Sequence, residues 1–375
     1  MAIRSIRSHR VPRVLHHLLI CAAVVAAVLM DVEAAPREPS ASDLPACLAR
    51  LRTGARAHGV SLGDYDRLAR GIQWQAKTID NYRSQPEVVL SWTQYMDRVL
   101  TSGRVARGQK IFAQWRAQAE KVARRYGSDA DVITAIWGVE SDFGSSMGSF
   151  PVLDAWATLA CYKPSDLRVK NFYGSMRMLA ENRVPGDRFT GSWSGAFGLT
   201  QFIPTSFEAY AADGDDDGKI DLYNSVPDAM ASTARHLAER TYWTRGLPAA
   251  IEVTMPADLT RQLTRGASDE LWVKSARPLS AWARLDVARV DGSGLESLGL
   301  APTTPLQVLF TEGANGRVFL LSSNFDALIG YNKSTKYAIA VSLLAQRVRE
   351  APAAAPAAAS APSAASAPAS TASGN

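Results

Sequence analysis

Residues 132–144 read VITAIWGVESDFG, and this stretch determines how the rest of the chain is interpreted. Its apolar residues recur at three-to-four spacing, which predicts a helix with one buried face. Glu140 follows Ile136 by four positions and Ile133 by seven, so its carboxyl group projects from that face. Such an acid either works in a desolvated site or ends the helix and reaches solvent where the chain turns at Gly144. The helix alone leaves both interpretations open.

Burial of Glu140 would raise its pKa and keep it protonated near neutral pH, as a general acid for glycosidic cleavage requires. Most glycosidases pair this acid with a second carboxylate. Asp142 lies two positions farther along the helix and faces the other way, and no other acid stands out as a partner. If Glu140 is catalytic, it therefore acts alone as acid and then base, while a group of the substrate supplies the nucleophile.

Helical periodicity extends to both sides of this stretch. The region from Leu44 to about Arg125 is amphipathic and predicts a helical N-terminal lobe. Before the final helix, the predicted helices cover residues 46–58, 97–106, 108–125, 155–160 and 172–181. Asp129 or Asp131 is expected to cap the helix that carries Glu140. The final helix begins after its cap, Ser334, and has an apolar stripe that includes Tyr337.

Short strand-like runs replace the helical pattern between residues 247 and 321. Two of them cover residues 250–254 and 271–273. The runs 306–310 and 317–321 flank the sequence EGANG, which predicts a hairpin. The chain is therefore expected to be mainly α (α+β), with a small β-containing insertion before its final helix.

An acidic loop, DGDDDGKIDLYN at 213–224, follows the calcium-loop pattern. The predicted ligands are Asp213, Asp215, Asp217, the backbone carbonyl of Lys219, and Asp228. Asp228 is included because Asn224, at the last position of the pattern, lacks the usual bidentate carboxylate. The alternative is a solvated acidic turn, but four Asp among five residues would repel one another without a cation.

A glycine-rich segment, GSWSGAFGLTQFIP at 191–204, would let a sugar approach the main chain while Ser192 and Gln201 form hydrogen bonds to it. Taken alone, the segment is more simply a turn followed by a helix. The tyrosines at 95, 331 and 337 and the adjacent Asn332 are equally compatible with packing roles.

Both ends of the chain differ from the rest. Four arginines precede the uncharged run LLICAAVVAAVLM, which is too short to span a bilayer and predicts a cleaved export signal over residues 1–34. Cys21 lacks the context of a lipoprotein, so no membrane anchor is expected. Residues 351–375 are uncharged and rich in Ala, Pro and Ser, and they predict a disordered tail.

Charge and cysteine content limit the function further. With 41 basic and 36 acidic residues, the chain is too mildly basic for a nucleic-acid partner. In an oxidising compartment Cys47 and Cys161 are expected to form a disulfide. Two separate buried thiols are the alternative, and neither cysteine has neighbours at metal-ligand spacing.

These motifs together resemble the lytic murein transglycosylase B family over about residues 43 to 349. The resemblance is carried by ESDFG at 140–144, LDA at 153–155, GAFG at 195–198 with QFIP at 201–204, the acidic loop, and YNKSTKYA at 331–338. It implies a goose-lysozyme-like helical core with added lobes. The predicted parts are the N-terminal lobe 35–125, the catalytic core 126–246 with its calcium loop 213–228, the insertion 247–321, and the core-completing segment 322–350.

The resemblance also implies an activity, namely cleavage of the β-1,4 bond between N-acetylmuramic acid and N-acetylglucosamine with formation of a 1,6-anhydro muramyl end. Glu140 matches the family's single acid/base, and the substrate acetamido group assists. The implied groove residues are Tyr95, Ser192, Gln201, Tyr331, Asn332 and Tyr337. The acidic loop matches the family's calcium site, although the link from Ile220 to Asp228 is one residue longer than in the family's best-known member.

A soluble periplasmic enzyme acting on peptidoglycan glycan strands is the leading hypothesis. The alternatives are a hydrolytic muramidase and a non-catalytic, calcium-stabilised peptidoglycan-binding protein. Protein partners in cell-wall synthesis or in the divisome are conceivable, but no feature of the sequence points to one.

Overall fold

The structure, a computed structural model, describes residues 37–350. The predicted export signal and the Ala/Pro/Ser tail lie outside the described residues. The helices of the first part are α1 Leu44–Arg52, α2 Leu62–Ala69, α3 Ala76–Arg83, α4 Pro86–Val89, α5 Trp92–Val99 and α6 Ser102–Tyr126. The helices of the central part are α7 Ala130–Ser141, α8 Val152–Tyr162, α9 Asp166–Ala180, α10 Pro204–Tyr210 and α11 Val226–Arg235. The remaining helices are α12 Ala257–Thr264, α13 Leu279–Ala283, α14 Ser323–Tyr331 and α15 Thr335–Arg349.

The strands are short and form two antiparallel sheets. They are β1 Phe150–Pro151, β2 Thr190–Gly191, β3 Ala250–Thr254, β4 Leu271–Pro278, β5 Ala288–Arg289, β6 Pro305–Phe310 and β7 Val318–Leu321. β1 pairs with β2, and the other five are ordered β4-β6-β7-β3-β5. The predicted mainly α fold with a small β insertion is confirmed, and the predicted hairpin is the β6–β7 pair.

Helix α7 lies at the centre of the helical part. It packs against α6 and α15, and α11 also contacts it. The sequence predicts one buried face, but every residue from Asp131 to Gly138 is buried. The periodic pattern underestimates this burial because Thr134, Ala135 and Gly138 are small enough to pack on the remaining sides. Near the C-terminal end of the helix, Val139 and Glu140 are partly open to solvent.

The central strands β6 and β7 of the five-stranded sheet are buried on both faces. Leu306, Val308 and Phe310 of β6 pack around Trp282 in a core of the insertion. The alternate residue Leu309 packs with Phe325 and α15 in the helical core. The insertion is therefore fixed to the helical part through a shared apolar layer.

Two predicted helices are wrong. The helix predicted over residues 46–58 ends at Arg52, and a turn and a short 3-10 helix, Arg56–His58, follow it. The helix predicted over residues 97–106 is interrupted. Helix α5 ends at Val99, and α6 begins at Ser102 and continues without a break to Tyr126. The side chain of Thr101 caps α6 by accepting a hydrogen bond from the backbone N–H of Arg104 at 3.2 Å. The Arg104 side chain donates to the carbonyl of Val99 at 2.6 Å. Local capping thus ends one helix and starts the next, which apolar spacing does not reveal.

Helix α15 has a side-chain cap at its N-terminus, and helix α7 has none. Ser334 caps α15 as predicted, since its side chain accepts from the N–H of Tyr337. Asp129 occupies the cap position of α7 but makes no capping hydrogen bond. Its carboxylate instead accepts from the Trp243 indole at 2.9 Å and from the N–H of Gly246. Asp129 therefore holds the loop that leads into the insertion.

Two cysteines connect the N-terminal helices to the central part. The structure joins Cys47 of α1 to Cys161 of α8 through a disulfide, with a Cα–Cα distance of 5.8 Å. The bond links residues 114 positions apart, so it restricts the unfolded chain strongly. Among the residues that the structure describes, no helix is long and apolar enough to cross a membrane.

Candidate active site

The end of α7 is shaped by a sharp turn that ties it to the glycine-rich segment. Asp142 and Phe143 adopt left-handed backbone conformations, with φ of 51° and 58°. The Ser141 hydroxyl donates to the carbonyl of Leu199 at 2.5 Å and accepts from the N–H of Gly144 at 2.9 Å. Glu140, next to Ser141, is therefore held at a fixed position beside residues 191–204.

Glu140 sits in a mostly enclosed position that keeps a partial opening to solvent. The Tyr337 hydroxyl donates to its Oε1 at 2.6 Å. Burial raises the pKa of Glu140 to about 8, although the Tyr337 hydrogen bond opposes the rise and the charge of Glu87 adds to it. The carboxyl group is thus protonated at neutral pH and can donate a proton to a bound oxygen.

Two tyrosines besides Tyr337, namely Tyr331 and Tyr95, belong to the surroundings of this carboxyl group. The rings of Tyr331 and Tyr337 are nearly parallel, with an angle of 7° between their planes and 6.4 Å between their centroids. The Tyr331 hydroxyl donates to the carbonyl of Thr200 at 2.8 Å. Burial and then the Glu140 charge raise the pKa of Tyr331 and of Tyr337, so both phenols remain neutral donors. The pKa of the buried Tyr95 is also raised, chiefly by burial.

The predicted polar residues of the glycine-rich segment have defined partners. The Ser192 hydroxyl lies 2.9 Å from that of Ser194 and accepts from the N–H of Ala196. Gln201 adopts a left-handed backbone conformation, with φ of 51°. Its side-chain amide donates to the carbonyls of Met147 and Gly198. These bonds connect the segment to the turn after Glu140 and fix the orientation of both side chains.

Asn332 follows directly on helix α14. Its backbone N–H donates to the carbonyl of Leu328, and the residue is half-buried. Asn332 and Tyr337 therefore both lie at the junction between two consecutive helices.

Asp142 pairs with two arginines of α6 and not with Glu140, as its position in the helix predicts. It accepts from Arg107 at 2.6 Å and from Arg104 at 3.0 Å. Burial alone would raise the pKa of Asp142, but these hydrogen bonds outweigh it and hold the pKa below the usual value. An ionised Asp142 bound to two arginines anchors the turn to α6.

The sequence does not single out Glu87, a second carboxylate near Glu140. Glu87 of α4 influences the pKa of both Glu140 and Tyr95. The Lys336 ammonium donates to the backbone carbonyls of Glu87 and Leu90, at 3.0 and 2.6 Å, and so ties α4 to α15. Nothing in the local pattern marks Glu87, because its neighbours come from segments about 50 and 250 residues away.

The acidic loop lies at the start of α11, separate from Glu140 in the chain. The carboxylate oxygens of Asp213, Asp215 and Asp217 lie within 4.8 Å of one another. The nearby cations Lys121 and Arg125 pair with Asp216 and not with these three. Three clustered carboxylates without a basic partner fit a hard cation such as Ca²⁺.

The other two predicted ligands are arranged differently. The exposed Lys219 follows Gly218, whose φ of 84° makes the turn, and its N–H donates to Asp217. Asp228 is buried and does not belong to the cluster. Its two oxygens accept the N–H groups of Gly214 and Asp221, both at 2.8 Å. Asp228 therefore closes the base of the loop.

Comparison with known proteins identifies the class to which this fold and site belong. The family model described as Transglycosylase SLT domain matches residues 43–346, and the chain belongs to this family. It is a lytic transglycosylase that acts on peptidoglycan.

Individual relatives make the assignment more specific. The chain is 28% identical over 269 residues to membrane-bound lytic murein transglycosylase B of Escherichia coli K12, covering 69% of this chain and 67% of the relative. The crystal structure of SltB3 from Pseudomonas aeruginosa in complex with NAG-anhNAM-pentapeptide is 35% identical, with a TM-score of 0.72. That match covers 82% of this chain and 79% of SltB3.

A third relative is similar in fold. The lytic transglycosylase SLT35 of Escherichia coli in complex with calcium is 23% identical, with a TM-score of 0.66. The match covers 82% of this chain and 93% of SLT35.

Proposed function

We propose that Glu140 is the sole acid/base of this enzyme and that it cleaves the MurNAc–GlcNAc β-1,4 bond with formation of 1,6-anhydro-MurNAc. One observation carries the proposal: a largely buried carboxyl group with a pKa of about 8 that receives a hydrogen bond from Tyr337. The nearest acid in sequence, Asp142, is neutralised by two arginines. The SltB3 structure with NAG-anhNAM-pentapeptide supports the anhydro product by analogy.

The reaction proceeds in two steps at this carboxyl group. Glu140 first gives its proton to the glycosidic oxygen, the bond from C1 to that oxygen breaks, and the acetamido oxygen of the muramyl residue bonds to C1. The Glu140 carboxylate then takes the proton of the muramyl 6-hydroxyl. That oxygen bonds to C1 and displaces the acetamido group, and Glu140 is protonated again.

The surrounding residues would position the sugar. We assign Tyr95, Tyr331 and Tyr337 to the walls of the groove. The half-buried Tyr331 would pack its ring against a sugar, while Tyr95 and Tyr337, only 3% and 2% exposed, would support the wall from behind. Ser192, Gln201 and Asn332 would hydrogen-bond hydroxyl and acetamido groups. The bonds that fix Gln201 to Met147 and Gly198 leave its amide oxygen free to accept from the substrate.

Digestion of purified murein sacculi tests this proposal. We expect products that end in anhydro-muramyl residues when they are separated and weighed by mass spectrometry. Products heavier by one water, about 18 Da, would show hydrolysis instead.

Glu87 gives the hydrolytic muramidase a specific basis as the second candidate function. A carboxylate near Glu140 could activate water or act as a nucleophile. The Glu87→Gln variant separates the two functions. If Glu140 acts alone, the variant still forms anhydro products, and the only change is a lower pKa of Glu140. Under the alternative it loses cleavage altogether.

Removing the Tyr337 hydroxyl should change how activity depends on pH. The hydroxyl stabilises the charged form of Glu140, so Tyr337→Phe raises the pKa of that carboxyl group further. Cleavage needs the protonated acid, and the wild-type rate should fall as the pH rises through about 8. In the variant the fall should occur roughly one pH unit higher. The measurement is kcat/KM as a function of pH.

Tyr331→Phe is the matched control, because the Tyr331 hydroxyl donates to Thr200 and not to Glu140. In this variant kcat/KM should fall at the same alkaline pH as in the wild type. If the fall also stays at the wild-type pH in Tyr337→Phe, this hydrogen bond does not set the pKa of Glu140.

We further propose that the acidic loop binds a structural calcium ion through Asp213, Asp215, Asp217 and the carbonyl of Lys219. Asp228 would support the ion from the base of the loop. The clustered carboxylates support this assignment, and calcium in the SLT35 structure agrees with it. The ion would offset repulsion among the carboxylates and takes no part in the cleavage steps.

Calcium should raise the melting temperature of the enzyme. At a calcium concentration of about 100 times Kd, binding adds about 2.7 kcal/mol, which corresponds to roughly 5 °C for a protein of this size. Chelation should remove this gain, and Asp215→Asn with Asp217→Asn should abolish it. Asp216→Asn should keep it, because Asp216 pairs with Lys121 and Arg125. Equal melting with and without calcium would contradict the assignment.

We also propose that residues 1–34 export the enzyme to the periplasm and are then removed. The charged start and the short apolar run support this. Sequencing the N-terminus of the periplasmic protein tests it, and a start at residue 1 would contradict cleavage.

A further inference from the structure

A cavity of about 170 Å³ adjoins the candidate active site. It shares Gln201 and Tyr331 with that site, and its wall also includes Ser206, His236, Arg240 and Lys333. Pockets for drug-sized ligands are typically about 300 Å³ or more, so this cavity has room for one small group and not for a disaccharide. It is therefore not another subsite for the glycan itself.

The charged groups of this cavity are all positive. Arg240 and Lys333 are exposed side chains on its wall, and no acid lines it. The acid next to Arg240 in the chain, Glu239, pairs with Arg235 at 2.9 Å. Among residues 37–350, neither Arg240 nor Lys333 forms an ion pair. Two unpaired cations at one small cavity favour an anionic ligand.

His236 forms an uncharged part of the wall. It is only 4% exposed and packs edge-on against Tyr331, with ring centroids 4.7 Å apart. Burial, with a contribution from the Arg240 charge, lowers the pKa of His236 to about 3, so the ring is neutral. His236 and Arg240 are the two ends of a π-helical turn, a rare structure often found at functional sites.

We propose that this cavity binds a carboxylate of the peptide carried by the muramyl residue at the cleaved bond, with Arg240 and Lys333 as its partners. The inference rests on the proposed function, because the muramyl sugar must lie beside Glu140. Its lactyl group then carries an acidic peptide away from the glycan, and Tyr331 separates the glycan site from the cavity. Arg240 and Lys333 thus make the enzyme favour peptide-bearing strands over bare glycan.

The test compares two substrates: glycan strands that carry their peptides, and the same strands after an amidase has removed them. Arg240→Gln combined with Lys333→Gln should lower kcat/KM for peptide-bearing strands by about 10- to 100-fold, since the neutral amides cannot form charged hydrogen bonds to the carboxylate. Cleavage of the bare strands should be unchanged. Lys110→Gln and Arg284→Gln, at exposed cations outside the cavity, should affect neither substrate.

The outcomes separate this inference from the proposed function. If the double variant keeps wild-type kcat/KM on peptide-bearing strands, or loses the same factor on both substrates, the peptide site is wrong while the cleavage reaction stands. If wild-type enzyme forms no anhydro ends from either substrate, the proposed function is wrong.

Discussion

The Glu140→Gln variant is expected to lose peptidoglycan cleavage by about 1,000-fold or more, the upper part of the range for removal of a general acid. The amide has the shape of the protonated carboxyl group and can still accept from Tyr337. It can neither give a proton to the leaving oxygen nor take one from the muramyl hydroxyl. The measurement is the rate of release of soluble muropeptides from sacculi.

Stability as a function of pH shows whether the variant keeps the fold. Burial raises the pKa of Glu140 from 4.5 to about 8, so between these values the folded protein holds a proton that the unfolded chain has lost. The free energy of unfolding of the wild type therefore falls as the pH rises through this window. The amide that replaces the carboxyl group does not titrate, and the variant should be the more stable protein above pH 8, by on the order of 2 kcal/mol.

Glu120→Gln is the matched control, because Glu120 is a partly exposed acid of α6 that pairs with Arg116. It should keep wild-type cleavage. A Glu140→Gln variant that remains folded and retains a tenth of the activity would assign the acid role to another residue.

The Gly148→Ala variant is expected to lose more than about 3 kcal/mol of stability, and most of its activity with it. Gly148 lies in the turn that connects Glu140 to β1, with φ of 88°. A Cβ at this position would lie 2.1 Å from the carbonyl oxygen of Gly191 and 2.6 Å from the N of Ser192. The backbone of the glycine-rich segment would have to move, and Ser192 with it.

Gly127→Ala separates this close approach from the cost of the backbone conformation. Gly127 has a similar φ of 74°, but nothing lies within 4 Å of its Cβ position. It should lose only about 1–2 kcal/mol in urea unfolding. Equal losses in the free energy of unfolding of the two variants would show that the close approach of Gly148 to residues 191–192 does not limit the side chain at position 148.

The sequence predicts the fold class and the acid for a clear physical reason. Apolar spacing and turn residues are local signals, and they correctly indicate the β6–β7 hairpin and the Ser334 cap. Glu140 stands out because an acid at a core position of an apolar helix is costly unless it is functional. The resemblance adds the groove residues, whose roles remain proposals.

Long-range contacts account for what the sequence does not show. Tyr337 bonds to Glu140 across 197 residues, and Glu87 reaches the same site from a four-residue helix with no periodic pattern. The burial of α7 on all sides depends on α6 and also on α11 and α15, which lie about 90 and 200 residues later in the chain. Asp228 fits a ligand pattern by its type and position, yet backbone amides occupy both of its oxygens.

We expect that the muramyl 6-hydroxyl, and not water, attacks the anomeric carbon. Digestion of sacculi in water enriched in oxygen-18 distinguishes the two attacking groups. The expected products are anhydro-muramyl ends that contain no heavy oxygen at C1. Reducing muramyl ends labelled with oxygen-18 would contradict this expectation and would identify the enzyme as a hydrolase.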